Sequence, residues 1–269
     1  MLASETLVLF GPDHVGALAA TALATTGLCL WLRRVHVAAA ERSRVIACAG
    51  LAIVLLTAAA TGHVYQGLHG TWTIAKSLPL HLCNLATLVA AAALLLVAAA
   101  PRQALRSFDD DRASAGRPSI TQVMYELTYY WGIGGTTQAM LTPEIDEPFP
   151  TTPYLVFFVT HGGIIAAAFM MTVGLRMRPR PDSAPRVWMI TAVAAALVLC
   201  FNAVTGTNYM YLAGPPERAS LYDYLGPWPL SLLSLSLAAT VAFALCYLPF
   251  WIRDRARRDL DGRRVENAG

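Results

Sequence analysis

The feature that most constrains this chain is a series of apolar runs, each long enough to cross a membrane as a helix. Seven such runs cover residues 15–32, 45–65, 78–100, 121–141, 153–175, 187–212 and 227–252. A membrane-spanning helix needs about 20 mostly apolar residues. Charged residues make up 14% of the chain, against about 25% in a typical soluble domain. The pattern predicts an all-α polytopic membrane protein with seven transmembrane helices.

Basic residues alternate from one loop to the next. The loops after the first, third and fifth runs, together with the C-terminal segment, hold 18 of the 20 lysines and arginines, and only Lys76 and Arg218 lie in the alternate loops. Because cytoplasmic loops are enriched in Lys and Arg, this alternation predicts an N-terminus outside and a C-terminus in the cytoplasm. The fourth run is the least hydrophobic, and it is counted as a span because the alternation requires it.

The spans form one predicted domain, a seven-helix transmembrane domain over residues 1–252, followed by a basic cytoplasmic tail over 253–269. The N-terminal segment has no basic leader, and Arg33 and Arg34 follow the first run instead. This arrangement favours a retained first span over a cleaved signal peptide. The expected location is the cell membrane, as a multi-pass protein.

A polar cluster opens the third run, where "LPLHLCNLA" places His81, Cys83 and Asn84 within four residues. Polar side chains inside a membrane are costly and are usually functional. The fifth run enters the membrane from the same outer side and carries His161 in "FFVTHGGII". With a rise of 1.5 Å per residue, Cys83 and His161 are expected roughly 8 and 12 Å below the starts of their spans, at comparable depth.

A thiol and an imidazole at matched depth point to nucleophilic chemistry. The thiolate is the reactive form of cysteine, and an imidazole supplies the base that generates it. On an intact helix His81 lies about 200° around from Cys83 and shares a face with Asn84, so His161 is the better base. The alternative is that both residues only pack. The other four cysteines, predicted to be buried small hydrophobic residues, are Cys29, Cys48, Cys200 and Cys246.

Further polar residues cluster at the same predicted end. The sixth run closes with "FNAVTGTNYMYL", which contains Asn202, Asn208 and Tyr209, and Asp223 follows in "SLYDYLGPWP". The residues of the sixth run are predicted either to form a wall that orients a lipid headgroup or an oxyanion, or to hydrogen-bond between helices. Glu126 is left out of this site because it lies near the inner end of the fourth run, where pairing with a loop arginine is expected.

A metal site is an open alternative. The residues available for it are His63, His69, His81, His161, Asp146 and Asp223. Three histidines and a carboxylate could hold zinc, but no two of these histidines are four residues apart on one helix. The leading prediction is therefore a site with no metal and no cofactor.

Five segments together resemble the bacterial YwaF-type integral membrane proteins: "LPLHLCNLA", "LTPEIDEPFP", "FFVTHGG", "TGTNYMYL" and "SLYDYLGPWP". The resemblance runs from the second to the seventh run and implies a seven-span protein of the bacterial inner or plasma membrane. This group looks distantly similar to an animal acyltransferase that moves polyunsaturated acyl chains onto ether lysophospholipids with a Cys and a His. It also looks similar to androgen-induced-type hydrolases, which cleave fatty acid esters with a Thr and a His.

The resemblance implies roles for particular residues. Cys83 matches the nucleophile and His161 the base, while Asn208, Tyr209 and Asp223 match family motifs. These three residues are expected to bind substrate together with His81 and Asn84, which would either support the reacting pair or bind the oxyanion. The function expected is that of a lipid acyltransferase or lipid esterase acting at the outer half of the bilayer. Its partners would be membrane lipids or an acyl-chain substrate, with no nucleic acid. The alternatives are a binding or transport protein for a small solute or lipid, a metal-dependent membrane hydrolase, and a seven-span sensor.

Overall fold

The computed structural model describes residues 6–35, 39–101, 117–215 and 224–266, the last six of these without side chains. All regular structure in these ranges is helical. The helices are α1 (Pro12–Arg34), α2 (Ala40–Leu68), α3 (Leu82–Ala99), α4 (Ile120–Trp131), α5 (Thr137–Leu141), α6 (Thr152–Phe169), α7 (Ser183–Thr205) and α8 (Leu230–Glu266). Two π-helical segments, Gly132–Thr136 and Met170–Gly174, join α4 to α5 and extend α6. A single 3₁₀ turn, Tyr209–Tyr211, follows α7.

Six helices in the described ranges are long and apolar enough to cross a membrane. They are Pro12–Arg34, Ala40–Leu68, Leu82–Ala99, Thr152–Gly174, Ser183–Thr205 and Leu230–Leu260. An all-α, multi-pass membrane protein is therefore confirmed. The fourth predicted span is instead built from α4, the π segment and α5 in succession, and its crossing of the membrane stays a prediction, as does the orientation of the termini.

The composition of the fourth segment explains its interruption. Its sequence "GIGGT" is rich in glycine, which is about 1 kcal/mol less favourable than alanine in a helix. Gly132 also allows close packing, because a Cβ there would lie 3.3 Å from both Ala168 Cβ and Ile164 Cγ2 of α6. α4 lies at the centre of the bundle, and Tyr125 and Tyr130 are completely buried there.

Buried polar and ionic contacts join Gln122 and Glu126 of α4 to neighbouring segments. Glu126 is completely buried and pairs with Arg186 at 2.7 Å. It also accepts hydrogen bonds from Gln122 Nε2 at 2.8 Å and from the backbone N–H of Arg180 at 3.0 Å. The expectation that Glu126 pairs with an arginine rather than joining the polar site is confirmed.

Several predicted span boundaries differ from the structure by more than three residues. The third span was predicted from residue 78, but α3 begins at Leu82 and His81 is its N-cap in an extended conformation. The sixth was predicted to reach residue 212, but α7 ends at Thr205, where Gly206 adopts a left-handed conformation with φ of 70°. The seventh was predicted to end at 252, but α8 continues to Glu266. Cap conformations set the start of α3 and the end of α7, and hydropathy does not report them.

Candidate functional site

Cys83 lies in the first turn of α3. It is the second residue of the helix, and no side chain caps the backbone N–H groups there. Cys83 is partly exposed, whereas Cys29, Cys48 and Cys246 are buried. Cys200 is exposed, so the prediction that it is buried was wrong: it faces outward from α7, where an apolar run alone does not tell the lipid face from the packed face.

His81 is held by the turn that follows α7. Its Nδ1 accepts a hydrogen bond from the backbone N–H of Met210 at 3.3 Å. The Tyr209 ring packs edge-on at 5.1 Å between centroids, and the Tyr211 ring packs at 5.5 Å. Because Nδ1 accepts, the neutral ring carries its proton on Nε2. The predicted 200° separation between His81 and Cys83 does not apply, since His81 precedes the helix.

Burial lowers the pKa of His81 from its ordinary value, and the nearby Glu144 carboxylate opposes that shift. His81 is therefore neutral near neutral pH. Glu144 lies in the 142–151 loop and accepts a hydrogen bond from the Tyr211 hydroxyl at 2.5 Å. Neither Glu144 nor Tyr211 was singled out from the sequence, although both lie within the segments that carry the family resemblance.

Tyr209 fixes the loop that leads into α3. The side chain is completely buried. Its hydroxyl accepts from the backbone N–H of Leu78 at 3.0 Å and donates to the carbonyl of Ile74. Both hydrogen-bonding directions of this hydroxyl are thus used by the backbone, which places Tyr209 as a brace between two loops.

Asn202 and Asn208 hold the same turn from its two sides. Asn202 is 2% exposed, and its Oδ1 accepts from the backbone N–H of Tyr209 at 2.9 Å while its Nδ2 donates to the Tyr209 carbonyl at 2.9 Å. Asn208 bonds the next loop, accepting from the N–H of Ala213 at 3.0 Å and donating to the carbonyl of Gly214 at 3.1 Å. Asn84 is exposed in the first turn of α3, and Asp223 lies outside the described residues.

His161 lies within α6 and is 9% exposed. Its ring stacks on Phe157 with centroids 4.0 Å apart, and Nδ1 lies 2.8 Å from the Phe157 carbonyl oxygen. A carbonyl can only accept, so Nδ1 is the donor and the neutral ring presents a lone pair on Nε2. His14 provides a contrast, because its Nδ1 accepts from Phe10 and its Nε2 lies 2.7 Å from the Met140 carbonyl, as in a purely structural histidine.

The helices that carry Cys83 and His161 pack against each other. No hydrogen bond joins the Cys83 thiol to the His161 ring in the part of the chain that the structure describes. The matched-depth estimate also changes, because Cys83 is the second residue of α3 while His161 is nine residues beyond the start of α6. Within the described ranges, no three His, Cys, Asp or Glu side chains lie close enough to hold a metal ion.

An apolar groove opens between α1 and α6, and His161 is not among the residues that line it. Its volume is about 520 Å³. Small residues line it, namely Gly16, Ala20 and Ala24 of α1 and Gly162, Gly163 and Ala166 of α6. The groove begins at Pro12 and reaches Thr25, about 20 Å along α1. One leaflet of a bilayer core is about 15 Å deep, so the groove has the length and the polarity of a lipid acyl chain.

Comparison with protein-family models gives one match that covers most of the chain. The model of the TMEM164 family, a family of membrane proteins, matches residues 9–247. Comparisons with curated proteins and with solved structures find no match. The matched region contains every described helix from α1 to α7 and most of the apolar part of α8. The chain therefore belongs to the TMEM164 family.

Proposed function

We propose that this protein is a membrane lipid acyltransferase or lipid esterase that uses Cys83 as nucleophile and His161 as base. The observation that carries the proposal is the 2.8 Å contact between His161 Nδ1 and the Phe157 carbonyl oxygen, which sets the tautomer of the ring. Because its Nδ1 donates to the Phe157 carbonyl, the neutral ring presents Nε2 as an acceptor. That is the form in which an imidazole takes a proton from a thiol.

The reaction follows from these two groups. The Cys83 thiol gives its proton to His161 Nε2, and the thiolate attacks the carbonyl carbon of an acyl ester. The carbon–oxygen bond to the leaving alkoxide breaks, and the imidazolium returns the proton to that alkoxide. A lysolipid hydroxyl then attacks the thioester to complete transfer, or water attacks it to complete hydrolysis. In either case His161 takes and returns one further proton.

The position of Cys83 supports the proposal. In the first turn of a helix the backbone N–H groups point outward without partners, and the positive end of the helix dipole favours a thiolate. His81 and Asn84 lie on the same turn and would contribute to substrate binding. Asn208 and Tyr209 would act by shaping the wall of the site, and Asp223 would complete it.

The membrane arrangement belongs to the same proposal. Seven crossings, with the N-terminus outside and the C-terminus in the cytoplasm of a bacterial inner or plasma membrane, would put Cys83 and the 142–151 loop at the outer leaflet. The α1–α6 groove supports an acyl chain as the apolar part of the substrate. The second candidate function is lipid binding or transport without turnover, which is favoured by the lack of a hydrogen bond between Cys83 and His161 in the described residues.

A thiol-reactive lipid analogue tests the chemistry. In vesicles, the rate of Cys83 labelling is compared with that of Cys200, which is exposed on α7. The variant His161→Asn keeps a donor for the Phe157 carbonyl but has no base. We expect Cys83 to label faster than Cys200, and His161→Asn to lower Cys83 labelling and reduce lipid turnover by about 10²-fold. Equal labelling of the two cysteines, unaffected by His161→Asn, would favour the binding or transport function.

A further inference from the structure

The turn between α7 and the 213–215 loop has an unusual backbone. Met210 and Tyr211 are consecutive non-glycine residues with φ of 56° and 55°. A left-handed conformation costs roughly 1–2 kcal/mol for such residues. Strained backbone persists only where surrounding contacts hold it, and it clusters at functional sites. Contacts around the Gly206–Tyr211 turn must therefore hold this backbone in its strained conformation.

Buried hydrogen bonds hold the turn. Asn202 binds both the N–H and the carbonyl of Tyr209, and its Oδ1 also accepts from the Thr207 hydroxyl at 2.8 Å. The Tyr209 hydroxyl is bound to the loop before α3. On the far side, the Tyr211 hydroxyl is bound to Glu144. The turn is thus joined to three separate segments of the chain.

What the turn holds is His81. The left-handed Met210 directs its N–H at His81 Nδ1, and the rings of Tyr209 and Tyr211 pack on the imidazole. Among the described residues, His81 Nε2 has no hydrogen-bond partner. Its proton is therefore available for a group outside the protein, at the end of α3 where Cys83 lies two residues further on.

We propose that the Gly206–Tyr211 turn is a positioning device that fixes His81 as an Nε2–H donor, and that this donor binds the carbonyl oxygen of the substrate during acyl transfer. The inference rests on the function proposed above, since it names the group that stabilises the charge that develops when Cys83 attacks. His81 and His161 then have opposite roles, fixed by opposite hydrogen bonds: His81 donates through Nε2 and His161 accepts through Nε2. Asn202 and Tyr211 are positioning residues, which act through His81.

Two substitutions of His81 separate the roles of its nitrogens. His81→Gln keeps an N–H near the position of Nε2 but loses the acceptor for Met210. His81→Asn keeps an acceptor near the position of Nδ1 but loses the donor. If His81 donates to the substrate, His81→Asn should lower kcat by about 10²-fold with a folded, stable protein, while His81→Gln should retain more activity despite lower thermal stability. A purely structural histidine would give the reverse order, with His81→Asn the more active variant, and that result would overturn the inference.

The positioning role has its own test. Tyr211→Phe removes the bond to Glu144 and should lower kcat several-fold with little change in KM, while Tyr224→Phe, at a side chain that is 86% exposed, serves as the matched control. Equal kcat in the two variants would overturn the role of Tyr211. Cys83→Ala is measured in parallel. If this variant retains lipid turnover, the proposed function itself fails. If Cys83→Ala loses turnover while His81→Asn is as active as the parent protein, only the inference about His81 is refuted.

Discussion

At the scale of single residues, the state of each histidine follows from the one backbone group it contacts. Met210 N–H makes His81 Nδ1 an acceptor, and the Phe157 carbonyl makes His161 Nδ1 a donor. The sequence shows that histidines are present at these positions but not which nitrogen carries the proton, because that depends on backbone groups from α6 and from the turn after α7. His81 remains neutral near neutral pH because burial lowers its pKa despite the nearby Glu144.

This neutral state predicts how stability depends on pH. The pKa of His81 is lowered in the folded protein relative to the ordinary value of about 6.5. Between about pH 6.5 and that lowered pKa, the unfolded state binds a proton that the folded state does not, so stability falls as the pH decreases through this window. We expect the Tm in detergent to fall less between pH 7 and pH 5 in His81→Asn than in the parent protein. An equal fall in both proteins would show that His81 does not contribute.

At the scale of elements, glycines decide how closely the helices approach. A Cβ on Gly162 of α6 would lie 2.7 Å from Thr21 Oγ1 and 3.2 Å from Thr21 Cγ2 of α1, so α1 and α6 meet only because this position has no side chain. A Cβ on Gly163 would lie 2.7 Å from Leu55 Cδ2 of α2. Gly27 of α1, in contrast, has nothing within 4 Å of the position that a Cβ would take.

The two kinds of glycine should respond differently to alanine. Gly162→Ala introduces a clash with the short, branched side chain of Thr21 and should destabilise the protein by about 1–3 kcal/mol. Gly27→Ala introduces no clash and removes the helix penalty of glycine, so it should be neutral or stabilising by up to about 1 kcal/mol. Thermal or denaturant unfolding of both variants in the same detergent measures the difference. A Gly162→Ala variant as stable as Gly27→Ala would contradict the close approach of α1 and α6.

The sequence predicts the elements better than it predicts their ends. Long apolar runs identify the six helices that could span within the described ranges, because burial in lipid requires length and low polarity together. The side-chain contacts of loop residues are harder to predict. Asn208 and Tyr209 were predicted to contact substrate, yet their polar atoms bind the backbone of nearby loops. Glu144 and Tyr211 were not predicted as site residues, because their hydrogen bond joins positions 67 residues apart. A hydropathy pattern does not report contacts between residues so far apart in the sequence.

At the scale of the whole molecule, the number of crossings depends on the segment from Ile120 to Leu141. Among the described residues, six helices could span by length and composition, and this segment is interrupted by its π turn. The loops rich in arginine fall on one side of the membrane only if the segment crosses. The Glu126–Arg186 pair holds this segment against the start of α7, so the part that carries Glu126 lies next to the basic 176–182 loop.

The termini distinguish the two possible counts. With seven crossings, the N-terminus and the C-terminus lie on opposite sides of the membrane; with six, they lie on the same side.

Single cysteines are introduced at Val8, in the 142–151 loop at Thr142, and near the C-terminus at Asp259, in a protein whose native cysteines are replaced. A membrane-impermeant maleimide applied to intact cells should label the first two positions and should label the third only after the membrane is opened. Labelling of Val8→Cys and Asp259→Cys from the same side would establish an even number of crossings. Protection of Thr142→Cys together with labelling of Val8→Cys in intact cells would show that the Ile120–Leu141 segment does not cross. Protection of both positions would place the start of α3 on the cytoplasmic side, and would remove the outer leaflet as the place where Cys83 acts.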